Sequence, residues 1–276
     1  MAPREIISRN IQTLPSALTQ SGEILKRTEG KRMAVFLDYD GTLTPIVERP
    51  ELAILSEGMR QTLQALAGLY TVGIISGRDR TDVEHLVGLD SLIYAGSHGF
   101  DIAGPQGWEA HYEKGTQFLP DLDQAETELR EHLGSVRGAL VERKKFSIAV
   151  HYRLVGEQEL DTVVAVVQMV LSHQPNLRKT EGKKVYELQP CLDWNKGKAL
   201  LWVLDALPVQ KGQVIPMYFG DDLTDEDAFQ SLTDFGIGIV VDDSSRLTSA
   251  KYALKNPEEV ECFLQLLIGS FHFRES

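Results

Sequence analysis

The chain is patterned as short apolar runs, several of which are cut off by a polar cluster. Met33 to Leu37 is unbroken apolar sequence of strand length, and it stops at Asp38-Tyr39-Asp40-Gly41-Thr42. Thr71 to Ile75 stops at Ser76-Gly77-Arg78, Leu92 to Ala95 gives a third strand, and Ile215 to Phe219 stops at Gly220-Asp221-Asp222. Ile237 to Val241 is predicted as the last core strand. Helical spacing fills the gaps. Met59, Leu63 and Leu66 fall at i, i+4 and i+7, behind Ser56 as a cap and before Gly68 as a stop. Further helices are predicted from about Thr81 to Val87, from Asn195 through Leu200, Leu201 and Leu204, and from Pro257 to Ile268. Thr224 is expected to cap a short helix, with Asp227 completing a capping box. Strand and helix alternating through short links predict an α/β fold, a doubly wound parallel sheet of Rossmann-like type.

This alternation breaks between residues 104 and 184. Gly104-Pro105-Gln106-Gly107 is a turn cluster. Beyond it come a helix from Asp121 to Leu133 and two strands, Ala139 to Glu142 and Phe146 to Tyr152, joined across Arg143-Lys144-Lys145. A helix from about Glu157 to Leu171 follows, with Leu160, Val163, Val164, Val167, Val170 and Leu171 on one face. Val185 to Leu188 is a further strand. The order suggests an α+β module inserted into the sheet, which divides the chain into an N-terminal arm (1–31), a first core segment (32–103), an inserted cap (104–184) and a second core segment (185–276). In the arm, Ile6, Ile7, Ile11, Leu14 and Leu18 suit a short helix packed on the outside, with no chemistry assigned to it.

Composition narrows the partners. A net charge of −12 argues against nucleic acid or an anionic membrane. No apolar run approaches the ~20 residues of a membrane span, and no secretory leader is visible. Cys191 and Cys262 are far apart and lack metal-ligand spacing, which suits a reducing compartment. The expectation is a cytoplasmic, monomeric protein acting on a small molecule.

The polar clusters fall where ligands bind in open α/β sheets, outside the carboxyl ends of the strands. Four or five aspartates on one such edge would drive each other toward protonation unless a cation sat among them. Carboxylate oxygens are hard donors, and Mg²⁺ held by a few carboxylates and a substrate phosphate fits them best. Lys196, in the first turn after Asn195, opposes its helix dipole unless it reaches an anion. Ser76 and the amides of Gly77 and Arg78 open the segment before a helix, a position suited to phosphate oxygens.

Asp38-x-Asp40-Gly41-Thr42-Leu43, Ser76-Gly77-Arg78, Lys196-Gly197 and Gly220-Asp221-Asp222-x-x-Asp225 resemble the four motifs of the haloacid dehalogenase superfamily. Within it, the chain resembles the trehalose-6-phosphate phosphatases over about residues 32 to 268. That resemblance rests on Leu37 to Ile46, the Gly96-x-His98-Gly99 stretch, Val141-Glu142-x-Lys144-x-x-Ser147 running on to His151-Tyr152-Arg153, and Gly220 to Asp227. It implies a phosphatase with Asp38 as nucleophile and Asp40 as proton donor and acceptor. Asp38, the backbone carbonyl of Asp40 and Asp221 would hold Mg²⁺, with Asp222 or Asp225 in support. Thr42, Ser76 and Lys196 would bind phosphoryl oxygens, with Gly77 and Arg78 beside them. Glu142, Lys144, Glu187 and His98 are the candidates for the sugar, and the insertion would close over it. Ser97 stands where the family usually has Asn, and Gln189 where it has Arg, so other sugar phosphates (glucosylglycerol phosphate, glucosyl- or mannosyl-phosphoglycerate, sucrose phosphate) stay open as substrates. A non-catalytic sensor on this fold would have lost Asp38, Asp40 or Lys196, and all three are present.

Overall fold

The computed structural model describes residues 8–105, 108, 112, 113, 115–182, 184–208 and 212–272. The chain divides into two compact units, Met1–His111 with Trp194–Ser276, and Tyr112–Asp193. The first unit begins with α1 (Ser21–Arg27), β1 (Arg32–Leu37), α2 (Glu57–Ala67), β2 (Thr71–Ile75), α3 (Arg80–Val87), β3 (Ile93–Gly96) and β4 (Asp101–Ala103). The second contains α4 (Leu119–Leu133), β5 (Leu140–Arg143), β6 (Ile148–His151), α5 (Leu160–His173), β7 (Leu177–Gly182) and β8 (Val185–Pro190). The chain then returns to the first unit through α6 (Lys196–Ala206), β9 (Val214–Gly220), α7 (Glu226–Ser231), β10 (Ile237–Val241), β11 (Tyr252–Leu254) and α8 (Pro257–His272).

The core sheet runs β11-β10-β9-β1-β2-β3-β4. Among these strands the pairings are parallel except the antiparallel pair β3 and β4. β1 lies between β2 and β9, so the carboxyl ends of strands from both segments of the unit converge beside Asp38. Met33 to Leu37 are all buried, as a central parallel strand covered on both faces requires. The Ser56 hydroxyl accepts from the Met59 amide at 3.1 Å, and Met59, Leu63 and Leu66 are buried in the face of α2 that meets Val260, Phe263, Leu264 and Leu267 of α8 in one core cluster. Among the described residues no helix is long and apolar enough to cross a membrane.

Several elements differ from the sequence expectation. The arm is not simply a helix laid on the outside. Arg9 and Asn10 pair antiparallel with Thr248 and Leu247, Ser16 bridges to Ala253, and among the arm's described residues only Ser21–Arg27 is α-helical; Ile6 and Ile7 lie outside the described residues. β10 is not the last core strand, because Tyr252–Leu254 adds a parallel strand too short to show a pattern. The expected cap Thr224 with Asp227 is replaced by Asp222 with Asp225, whose carboxylates and main-chain amides form a reciprocal capping box two residues earlier. Gln106 and Gly107 of the turn cluster lie outside the described residues.

In the second unit, Val185–Pro190 pairs with β6 and β7, so this strand belongs with the insertion and not with the second core segment that was expected to begin at 185. The sheet order is β5-β6-β8-β7, antiparallel throughout. β7 escaped the sequence reading because Leu-Arg-Lys-Thr-Glu-Gly buries only Leu177. Side chains alternate between sheet faces. Val141, Ile148, Val150, Leu177 and Leu188 form one core with Leu122, Ala125, Leu129 and Leu133 of α4 and Val163, Val167 and Val170 of α5. The opposite face carries the cross-strand row Glu142, Ala149, Glu187 and Thr180, followed by His151 and Gln189. Ile148 is fully buried in this core. Ile148→Ala should cost about 2–5 kcal/mol of stability through the cavity it leaves, measured by urea unfolding; a loss under about 0.5 kcal/mol would contradict a separately packed insertion.

Candidate active site

β1, β9 and the start of α6 bring three carboxylates and one ammonium together. Asp38 follows β1 and Asp221 follows β9, while Lys196 opens α6 behind Asn195, whose side chain accepts from the Lys198 amide. Lys196 Nζ lies 3.0 Å from Asp38 Oδ2 and 2.7 Å from Asp225 Oδ1. Asp38, Asp221, Asp225 and Lys196 are all buried. The Tyr218 hydroxyl donates to Asp225 Oδ1 at 2.6 Å, and the Asp222 amide donates to Asp225 Oδ2 at 3.0 Å. Asp225 is thus saturated by protein donors and fixes Lys196 against Asp38.

The electrostatics follow from burial. Loss of hydration pushes the Asp38 carboxyl well above its ordinary range; Lys196 pulls it down, while Asp225, Asp221 and Asp40 push it further up. Burial would lower the Lys196 pKa, but Asp225 and Asp38 outweigh it and hold the ammonium above its ordinary value. The Tyr218 phenol is raised by burial and then by Asp225, so it stays protonated and donates. Oxygen atoms of Asp38, Asp221 and Asp225 lie within 4.8 Å of one another, the one such group among the described residues. Three buried carboxylates against one lysine leave excess negative charge, and an all-oxygen donor set of this kind fits a hard divalent cation. Gly41 makes the space for the Asp221 carboxylate: its φ is +81°, and a Cβ there would fall 2.2 Å from Asp221 Oδ2.

The expected phosphate and proton groups surround this cluster. Thr42 is fully buried, and its hydroxyl has no hydrogen-bond partner among the described residues, a costly arrangement unless a ligand oxygen completes it. The Ser76 hydroxyl accepts from the Arg78 amide at 3.1 Å, which leaves its proton to be donated. The His98 ring lies against Gly77, where a Cβ would come within 2.9 Å of it; His98 is held at φ +56° in the turn after β3. Asp40 turns its carboxylate to Arg78, which grips it with Nε at 2.7 Å and Nη2 at 2.8 Å. Arg78 also donates to Asp82 and to the Pro50 carbonyl and lies 5.2 Å from the centre of the Tyr39 ring. Four of its side-chain donor contacts are therefore taken up by the protein, and the side chain holds Asp40; the group expected at phosphate was the Arg78 amide, which donates to the Ser76 hydroxyl.

Of the two carboxylates left open as support for the metal, Asp222 caps the Leu223 amide at 2.7 Å and Asp225 lies in the cluster with Asp38 and Asp221. Tyr218 was missed because a tyrosine inside an apolar strand reads as core; only the pairing with Asp225 reveals its hydroxyl. Ser97, at φ +49°, donates to Asp79 at 2.9 Å and so helps to lock the turn that presents His98.

On the polar face of the insertion, Glu187 Oε1 accepts from Lys144 Nζ at 3.1 Å and from the Ser147 hydroxyl at 2.8 Å, and His151 Nε2 lies 2.7 Å from Glu142 Oε2. Gln189 donates to the Thr180 hydroxyl at 3.3 Å. Glu142, Lys144 and Glu187 thus share one sheet face, joined by His151 and Ser147.

The trehalose-phosphatase family profile matches residues 36–258. The chain belongs to this family. It is 43% identical over 265 residues to probable trehalose-phosphate phosphatase D of Arabidopsis thaliana, covering 92% of this chain and 72% of that protein. The C-terminal domain of trehalose-6-phosphate phosphatase from C. albicans shares the fold with a TM-score of 0.78 at 25% identity, over 93% of this chain and 99% of that one. A haloacid dehalogenase-like hydrolase from Bacteroides thetaiotaomicron shares the fold alone, with a TM-score of 0.60 at 14% identity, over 86% of this chain and 99% of that one. The family is one of phosphoric monoester hydrolases within the haloacid dehalogenase superfamily.

Asp38 is the group whose burial this trehalose-phosphatase fold must tolerate. Its pKa is raised on folding, so the folded state binds the extra proton. Stability tied to that proton is complete below the unfolded value near pH 4 and is lost as pH rises through the folded value. In chelated protein, Asp38→Asn should therefore raise stability at neutral pH, by about 1.4 kcal/mol for each pH unit that separates the unfolded value from neutral pH or from the folded value, whichever is lower. The gain should vanish near pH 4; thermal unfolding that shows the Asp38→Asn protein less stable than the parent at pH 7 would contradict this electrostatic account.

Proposed function

We propose that the protein hydrolyses trehalose 6-phosphate to trehalose and phosphate through an aspartyl phosphate on Asp38. The observation that carries the reading is the buried Asp38 carboxylate, pinned by Lys196, with a buried Thr42 hydroxyl four residues on that has no hydrogen-bond partner among the described residues. Curated relatives at this level of identity are named as trehalose-phosphate phosphatases.

Asp38 attacks phosphorus, and the bond to the sugar oxygen breaks. Asp40 gives its proton to that oxygen, then takes one from the water that attacks the acyl phosphate, which returns Asp38 to its starting state. Arg78 aims the Asp40 carboxylate. Lys196, Thr42 and Ser76 hold the phosphoryl oxygens and offset charge as it develops. Asp38, Asp221 and the Asp40 carbonyl are the groups to hold Mg²⁺, which when bound would add further positive charge beside the phosphoryl group. Asp225 serves through Lys196, with Asp222 as a helix cap. On the polar face of the insertion, Glu142, Lys144 and Glu187 supply charged partners for sugar hydroxyls. Substrate discrimination comes from such polar groups, because a wrong sugar leaves them unpaired.

The test is phosphate release from trehalose 6-phosphate, sucrose 6-phosphate, glucosylglycerol phosphate and glucose 6-phosphate, with Mg²⁺ and with chelator. Trehalose 6-phosphate should lead in kcat/KM by about tenfold or more, and chelation should abolish turnover. Equal rates on all four would overturn the substrate assignment, and full activity after complete metal removal would overturn the Mg²⁺ assignment.

A further inference from the structure

We propose that Arg246 is a positioning residue for Asp221, and that the N-terminal arm holds Arg246 in place for that task. The proposal rests on the reading of Asp221 as a metal ligand.

One guanidinium ties three elements together. Arg246 Nη2 donates to the main-chain carbonyl of Asp221 at 2.8 Å, Nη1 to Glu226 Oε1 at 2.8 Å, and Nε to Asp242 Oδ2 at 3.0 Å. Asp221 follows β9, Glu226 opens α7, and Asp242 follows β10. The three side chains are largely buried, at 22% exposure for Arg246, 15% for Glu226 and 20% for Asp242. Glu226 uses its second oxygen on the Ser249 amide at 2.7 Å, and Asp242 accepts from the Ser244 amide at 2.9 Å. Both carboxylates are thus fixed by the loop that Arg246 itself belongs to. The backbone of Asp221 sets where its carboxylate points, and Gly41 leaves that carboxylate no spare room.

The outer side of the same loop is held by the arm. Ile11 donates its amide to the Arg246 carbonyl at 3.0 Å, and the Asn10 side chain donates to the Ser245 carbonyl at 3.0 Å. Arg9 and Asn10 pair with Thr248 and Leu247, and Ile11 and Thr248 are buried. Farther along, Ala17 donates to Ala253 and Ala253 to Pro15, at 3.0 and 3.1 Å. A connecting loop of this kind is ordinarily the mobile part of a fold. Here both of its edges are tied, one to the carboxylate cluster and one to the arm. The arm therefore supports the site through Arg246.

Outer partners of metal ligands typically contribute 10–100-fold to metal affinity. The experiment is Mn²⁺ titration by calorimetry of the full chain and of Arg246→Ala, Arg246→Lys and Asn10→Ala, with Mg²⁺ activation curves alongside. Arg246→Ala should weaken Mn²⁺ binding by about tenfold or more. Arg246→Lys should fall between it and the parent, since a lysine keeps the charge but cannot span three acceptors. Asn10→Ala should shift affinity by a smaller factor in the same direction. Excess metal should restore kcat with the substrate KM unchanged, a signature that general loosening of the fold would not give. If Arg246→Ala fails to fold, the lysine and Asn10 variants carry the test. Unchanged Mn²⁺ affinity in the folded variants would overturn this proposal alone; a parent protein that binds no Mn²⁺ would overturn the metal reading and this proposal with it.

Discussion

Lys196 stands 3.0 Å from Asp38 and 2.7 Å from Asp225, in surroundings that leave all three nearly closed to water. Charges so placed are expensive to bury and interact strongly once buried. One ammonium cannot offset Asp38, Asp225 and Asp221 together, and the surplus makes the site receptive to a cation. Tyr218 and the Asp222 amide spread the charge of Asp225, so that Lys196 remains available to Asp38. Burial raises the Asp38 pKa, so the fold carries this carboxylate at an electrostatic cost that Lys196 partly offsets.

The parallel sheet is what makes this arrangement buildable. β1 and β9 are neighbours, so Asp38 and Asp221 leave adjacent strand ends. The start of α6 is fixed as the chain returns from the insertion: the Trp194 indole donates to the Gly99 carbonyl at 2.9 Å. That bond joins the Lys196 end of α6 to the turn bearing His98. The Asp242–Thr248 loop and the arm brace the far side of β9. An overall charge of −12 is compatible with an anionic substrate once a cation joins Lys196 in offsetting the carboxylates gathered there.

Much of this was legible in the sequence because apolar runs and strand-end clusters are local signals. Asp38, Asp40, Asp221 and Lys196 could be singled out before any contact was known. The choice between Asp222 and Asp225 could not be made, since both are aspartates on one short helical turn and only the direction of their hydrogen bonds separates them. Arg78 read as part of a phosphate site through its main-chain amide; the bidentate grip of its side chain on Asp40 depends on a tertiary contact that no spacing encodes. The arm, β7 and β11 were missed or misjudged for a related reason. Their pairing partners lie far away in sequence, and their own residues are too few or too polar to show a period.

The central claim is that Asp38 becomes covalently phosphorylated. It is tested most directly in Asp40→Asn protein given an aryl phosphate, whose leaving group needs no proton, followed by acid quench and peptide mass spectrometry. The account predicts one phosphoryl group on the peptide containing Asp38, lost on treatment with hydroxylamine as an acyl phosphate should be. Turnover of the aryl phosphate with no phosphorylated Asp38 at any quench time, or with the label on another residue, would contradict it.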